Sequence, residues 1–416
     1  MKIIDCIFTK GNTGFYFDDQ KALKHGKIKE DGLFYDGTPL TEGFTSLRIP
    51  GESVSINLVL ENGIIVTGDC VAVQYSGAAG RDPLFLADNY MDLLEKEIKP
   101  LLLKEDIGEF RPLSEKYDTL KINGKRLHTA IRYGISQVLL KAVAVYKKMT
   151  PAEVIVEEFK TGVKELKAVP IFTQSGDDRY MNADKMIIKQ VDSLPHALIN
   201  NVETKLGLKG ERLEKYLKWL KNRIIEKRMD ESYNPIIHVD VYGAIGELYN
   251  YNIEKIAKYL MKLEKVVSPF KFRVESPIDA PSKEETIKAL SDLRIELEKH
   301  GSKVEIIADE WCNTLEDIKE FAKHKAGHIL QIKTPDLGAI HNAIEAVLYC
   351  KKHNIGAYVG GSCNETSISA EISANIAVGT GALLILAKPG MDVDNGFMLM
   401  KNEMERIVKL AKRKRV

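Results

Sequence analysis

The strongest constraint on this chain lies in the rhythm of its second half. Short β-rich runs recur there: Val169–Thr173, Ile236–Val239, Phe270–Val274, Val304–Ala308, Ile329–Ile332, Ala357–Val359 and Ala382–Leu386. Helical patterns fill the gaps. Leu213, Leu217, Leu220 and Ile224 step along one helical face, as do Ile256, Leu260, Leu263 and Val267. From the second run onward the runs return every roughly 25–35 residues, room for one helix and two loops, which is the crossover that a parallel neighbour requires. An eighth run is weakly written near Leu194–Ile199. Eight such units in about 250 residues make a (β/α)8 TIM barrel over residues 161–416 the expected fold. A doubly wound open sheet shares the alternation and is its rival.

Residues 1–160 read differently, as a domain of mixed α+β pattern. Val54, Ile56, Leu58 and Leu60 alternate, which predicts a half-buried strand, and Glu61-Asn62-Gly63 turns it back into a hairpin. Helices are expected near Pro83–Leu103 and Arg126–Lys148. Thr150 with Glu153 three residues on, and Pro151 between, forms a capping box that opens a further helix. Thr314 and Asp317 repeat the device later.

Hydrophobic residues make up 44% of the 416, ample for a large core, and the net charge of +1 draws the chain neither to nucleic acid nor to acidic membranes. The basic run Lys412–Arg415 reads as a solvated end. Five widely spaced cysteines without a CxxC argue against disulfides and structural zinc, and fit a reducing compartment. No secretory signal and no apolar stretch of membrane-spanning length is visible, so a cytoplasmic protein is expected. Gly379-Thr380-Gly381 precedes a strand, the wrong context for a dinucleotide loop.

The chemistry is written at the strand ends, where a barrel carries its active site. Asp240, Glu275 and Asp309 end three consecutive runs. Three carboxylates converging on one barrel mouth repel each other unless something neutralises them, and oxygen ligands without His or Cys suit a hard divalent cation. Glu310 and Asp336 read instead as caps of the helices that follow. Lys333 ends the next run, and Gln331, two residues earlier, shares its inward face. Lys333 is either a salt-bridge partner of the acids or a general base with a lowered pKa. Taken alone, His196 reads as a packed structural histidine, and Cys363 lacks the histidine that would make it a nucleophile.

The longer motifs resemble one family. Val-Asp-Val-Tyr-Gly (239–243), Glu-Ser-Pro (275–277), Ala-Asp-Glu-Trp-Cys-Asn-Thr (308–314), Gln-Ile-Lys-Thr-Pro-Asp-Leu-Gly (331–338) and Gly-Gly-Ser-Cys-Asn-Glu-Thr (360–366) are similar to methylaspartate ammonia-lyases of the enolase superfamily. Matching stretches at 14–20, 74–83, 173–180 and 194–201 extend the likeness over essentially the whole chain. The resemblance implies an enolase-like barrel with a capping domain, and reversible anti elimination of ammonia from L-threo-3-methylaspartate to mesaconate, a step of amino-acid degradation. It implies Mg2+ on Asp240, Glu275 and Asp309, with Lys333 taking the C3 proton and His196 on the opposite side of the substrate. Gln174 and Gln331 would bind the substrate carboxylates, and Ser362 and Cys363 the other end of this amino-dicarboxylate. Ser362 stands where the family usually has Thr. Phe172, Tyr358 and Leu386 would line the pocket, with Gln74 near it. K+ as activator and a homodimer are further implications. The alternatives are another enolase-superfamily activity, such as acid-sugar dehydration, or a non-catalytic barrel that binds a dicarboxylate.

Overall fold

Parallel strands joined by helices must bury both faces of their sheet, and closing the sheet on itself does so without leaving an edge. The computed structural model, which describes residues 1–77 and 80–413, shows this solution. Apart from two short two-stranded ribbons, the N-terminal part holds one sheet of β1 (Ile3–Asp18), β2 (Arg48–Leu60) and β3 (Ile65–Cys70). The barrel strands follow as β4 (Ile171–Phe172), β5 (Ser193–His196), β6 (Ile236–Asp240), β7 (Phe272–Glu275), β8 (Glu305–Ala308), β9 (Ile329–Ile332), β10 (Gly356–Val359) and β11 (Leu384–Leu386). They pair in chain order, and β11 pairs back onto β4 through Ile385–Ile171 and Leu386–Phe172. That closing pair excludes the open sheet. A plug of Phe172, Ile307, Ile329, Tyr358, Leu384 and Leu386 fills the barrel interior.

The two least legible strands have local causes. β4 is two residues long because Pro170 has no N–H for the ladder. β5 stops at His196, short of the expected Ile199, because His196, Ala197 and Leu198 all turn to positive φ.

β1, β2 and β3 form an antiparallel sheet in that order, with the expected hairpin between β2 and β3. The expected helix at Pro83–Leu103 begins only at Asp88 and passes through a π-turn at Leu94–Ile98. The next expected helix begins at Thr129, because Lys121–Ile122 and Lys125–Arg126 pair around a left-handed Asn123-Gly124 turn. Helix Thr129–Lys147 lies on the sheet so closely that a Cβ on Gly134 would sit 2.5 Å from Cys70 Sγ. The same helix touches the barrel, for Ser136 Oγ accepts from Ile340 N at 2.9 Å. Both capping boxes, at Thr150 and Thr314, are present. Among the described residues no helix is long and apolar enough to cross a membrane. Lys414 and Arg415 of the basic run lie outside them.

Candidate active site

Five consecutive strands deliver the expected metal and proton-transfer residues, one each. His196 ends β5, Asp240 ends β6, Glu275 ends β7, Asp309 follows β8 and Lys333 follows β9. The row keeps this order in space. His196 Nε2 lies 3.4 Å from Asp240 Oδ2 at one end, and Lys333 Nζ lies 2.7 Å from Asp309 Oδ1 at the other. Between them, one oxygen from each of Asp240, Glu275 and Asp309 falls within 4.8 Å of the others, and all three residues are buried. Gln174, Gln331, Ser362 and Cys363 line the same cleft, so the expected metal, proton-transfer and substrate-contacting residues meet at one mouth.

The electrostatics are those of an incomplete charge balance. Burial, then the neighbouring Asp240 and Asp309, raises the Glu275 pKa well above the usual carboxylate range. Burial likewise pushes Asp309 up to about 7, although Lys333 pulls it down. Lys333 does not show the lowered pKa expected of a base. Burial lowers it, but Asp309 and Glu310 outweigh burial and hold it above its ordinary range. Freeing the amine requires another cation to compete for Asp309. The donor set fits a hard divalent ion: three buried carboxylates, no thiolate, and an excess of negative charge over the single nearby lysine.

The surroundings fix these groups. Gln331 Nε2 donates to Glu275 Oε1 at 2.5 Å, which leaves its second N–H for the cleft, while its oxygen lies against Gly360. Tyr242 OH lies 3.4 Å from His196 Nε2. Ser362 Oγ accepts from the backbone N–H groups of Gln74 and Asn364, at 3.2 Å and 3.1 Å. The Cys363 thiol, pushed up to about 12 by burial, donates to Gln74 Oε1 at 3.4 Å and is no thiolate nucleophile.

Three expectations need correction. Phe172 is buried below the cleft, stacked on His238, because the stub of β4 places it in the interior plug; Tyr358 and Leu386 do line the cleft. Asp336 caps no helix: it binds Arg81 Nε at 2.9 Å, and the next helix starts after Ala339 without a side-chain cap. Glu310 lines the cleft, and Thr314 caps the helix beyond it. Arg81, Tyr75, Tyr242 and His238 carry no assignment from the sequence. Only His238 has a usable signal there, its even spacing from Asp240 along one strand.

Comparison with known proteins agrees with this geometry. The family model for the methylaspartate ammonia-lyase N-terminus matches residues 1–160, and that for its C-terminus matches residues 164–413. The chain is 54% identical to methylaspartate ammonia-lyase from Clostridium tetanomorphum, over 100% of both chains. It superposes on the crystal structure of β-methylaspartase from that organism, a Mg complex, with a TM-score of 0.96. The Citrobacter amalonaticus methylaspartate ammonia lyase structure containing (2S,3S)-3-methylaspartic acid gives 49% identity and a TM-score of 0.96, covering 99% of this chain and 100% of that one. Muconate lactonizing enzyme from Pseudomonas fluorescens, 16% identical with a TM-score of 0.57 over 90% of this chain and 83% of its own, shares the fold alone.

Proposed function

The chain belongs to the methylaspartate ammonia-lyase family, and we propose that it catalyses the reversible elimination of ammonia from L-threo-3-methylaspartate to give mesaconate. One observation carries the reading: in the row His196, Asp240, Glu275, Asp309, Lys333 an imidazole and an amine flank three clustered, buried carboxylates from opposite ends.

Asp240, Glu275 and Asp309 would hold Mg2+, which when bound would polarise the substrate carboxylate next to C3 and so acidify the C3–H bond. We assign Lys333 as the base. Its Nζ takes the C3 proton, the electron pair left behind becomes the C2–C3 double bond, and the C2–N bond breaks to release ammonia. His196 flanks the substrate from the other side. Gln174 and the second N–H of Gln331 are assigned to the carboxylates, and Ser362 and Cys363 to the far end of the substrate. Tyr358 and Leu386 offer the methyl group an apolar wall. We take residues 1–160 as a cap and residues 161–416 as the catalytic barrel, since Gln74, Tyr75 and Arg81 reach the cleft from the N-terminal part. K+ as activator and a homodimer complete the reading, along with a cytoplasmic setting, which five buried free thiols support.

The test is the growth of mesaconate absorbance when purified protein meets L-threo-3-methylaspartate with Mg2+ and K+, with an EDTA-treated sample beside it. Growth that EDTA abolishes supports the reading. A silent enzyme that still binds Mg2+ would leave the cation site standing and remove the substrate.

A further inference from the structure

His238 is two residues before Asp240 on β6, so its side chain enters the barrel interior one layer below the acids. It is completely buried. An apolar side chain would fill this place without the penalty of burying a polar ring. The imidazole is nevertheless held with care. Its ring stacks on Phe172 with centroids 3.7 Å apart and planes 3° from parallel, and Tyr358 meets it edge-on at 6.0 Å. Its Nε2 lies 2.8 Å from Glu275 Oε2. Among the described residues Nδ1 has no partner, and a proton there would be a buried unsatisfied donor, so the tautomer carries its hydrogen on Nε2 and donates it to Glu275.

Glu275 is thus gripped on both oxygens: Oε2 accepts from His238 and Oε1 from Gln331 Nε2 at 2.5 Å. Each oxygen keeps a lone pair beyond the one so used. Asp240 and Asp309 are treated differently, since their nearest side-chain partners are the reacting groups His196 and Lys333. We propose that His238 is a positioning residue of the metal centre, which, with Gln331 opposite, locks the Glu275 carboxylate in the orientation that binds Mg2+. The proposal rests on the reading of Asp240, Glu275 and Asp309 as Mg2+ ligands. Glu275 is the middle ligand of the row, so its rotation would open the site from the centre. Neighbours that orient a ligand in this way typically contribute about 10–100-fold to metal affinity.

The test is calorimetric titration of Mg2+ into the full-length protein, with thermal melting of the Mg2+-free samples alongside. His238→Phe keeps a ring against Phe172 and removes the donor. It is expected to weaken Mg2+ binding about 10–100-fold while the Mg2+-free melting temperature stays within a few degrees of wild type. His238→Gln restores an N–H donor and is expected to regain part of the affinity. A folded His238→Phe protein with wild-type Mg2+ affinity overturns the proposal and leaves the ligand assignment intact. Should that variant not fold, Phe172→Leu decides: loosening the stacked ring is expected to weaken Mg2+ binding several-fold, and unchanged affinity overturns the proposal. A wild-type protein that binds no Mg2+ removes the ligand assignment itself, and the proposal with it.

Discussion

Two clusters of buried charge lie side by side in this barrel, and they are built on opposite terms. Behind the cleft, Lys388 and Glu365 are both completely buried and pair at 2.8 Å. The ammonium uses all its protons, donating also to Gly360 O at 2.6 Å and Thr334 Oγ1 at 3.2 Å. Glu365 accepts from Tyr133 OH at 3.1 Å and from Ser362 N at 3.3 Å. Burial lowers the Lys388 pKa and Glu365 pulls it back. One charge meets one charge and nothing is left over. At the mouth, Asp240, Glu275 and Asp309 face one lysine, two carboxyl pKa values rise, and among the described residues His196 Nδ1 and Gln331 Oε1 have no partner. The balanced cluster ties three strand ends to the Thr129–Lys147 helix. The unbalanced one is, on the proposed reading, a place for a cation and for chemistry, and its repulsion is held in check by the packed barrel around it.

This contrast breaks most readily at the balanced pair. Lys388→Met leaves Glu365 buried without its counter-charge and is expected to lose about 3–5 kcal/mol of stability, read from chemical denaturation. The double variant Lys388→Met/Glu365→Leu is expected to recover much of that loss. A single variant as stable as wild type would mean that the pair is not the structural tie described.

A half-buried ionisable group sharpens the comparison. His328, at the start of β9 and so at the far end of the barrel, accepts from Ile306 N at 3.1 Å through Nδ1. Burial, with Arg294 adding to it, lowers its pKa to about 4. It avoids buried charge by staying neutral. Because its folded pKa lies below the unfolded value near 6.5, the unfolded chain binds the extra proton first. Its contribution is present above about pH 6.5 and is lost as pH falls toward 4, on the order of 3 kcal/mol. Removing the imidazole with His328→Asn should flatten that part of the stability–pH curve. A curve of unchanged slope would show that His328 titrates as it does in the unfolded chain.

Legibility in the sequence follows the same division. The barrel can be read because β-branched runs and helical stripes alternate at a length that only a crossover fills. The acids can be read because each stands at a strand end. β1 escapes such a reading because Lys10-Gly11-Asn12-Thr13-Gly14 interrupts its apolar pattern, although the strand carries on through it, paired to β2 with shifts of register. Helix Phe110–Thr119 escapes it because the helix is short, Pro112 stands in its first turn, and Glu109 before it offers no side-chain cap. Arg81 is invisible for a different reason. Its partners Asp336 and Asn313 come from distant loops that only the closed barrel brings together. Lys333 can be placed at the mouth, but its raised pKa depends on the distance to Asp309, which no spacing reports.

The central claim is that the unbalanced row serves Lys333 as a base, and Lys333→Ala tests it most directly. Turnover of L-threo-3-methylaspartate and Mg2+ affinity are measured on the same preparation. The account predicts a fall in kcat of about 10²–10⁴-fold with Mg2+ still bound and the fold intact. A variant that binds Mg2+ and forms mesaconate at the wild-type rate would contradict it.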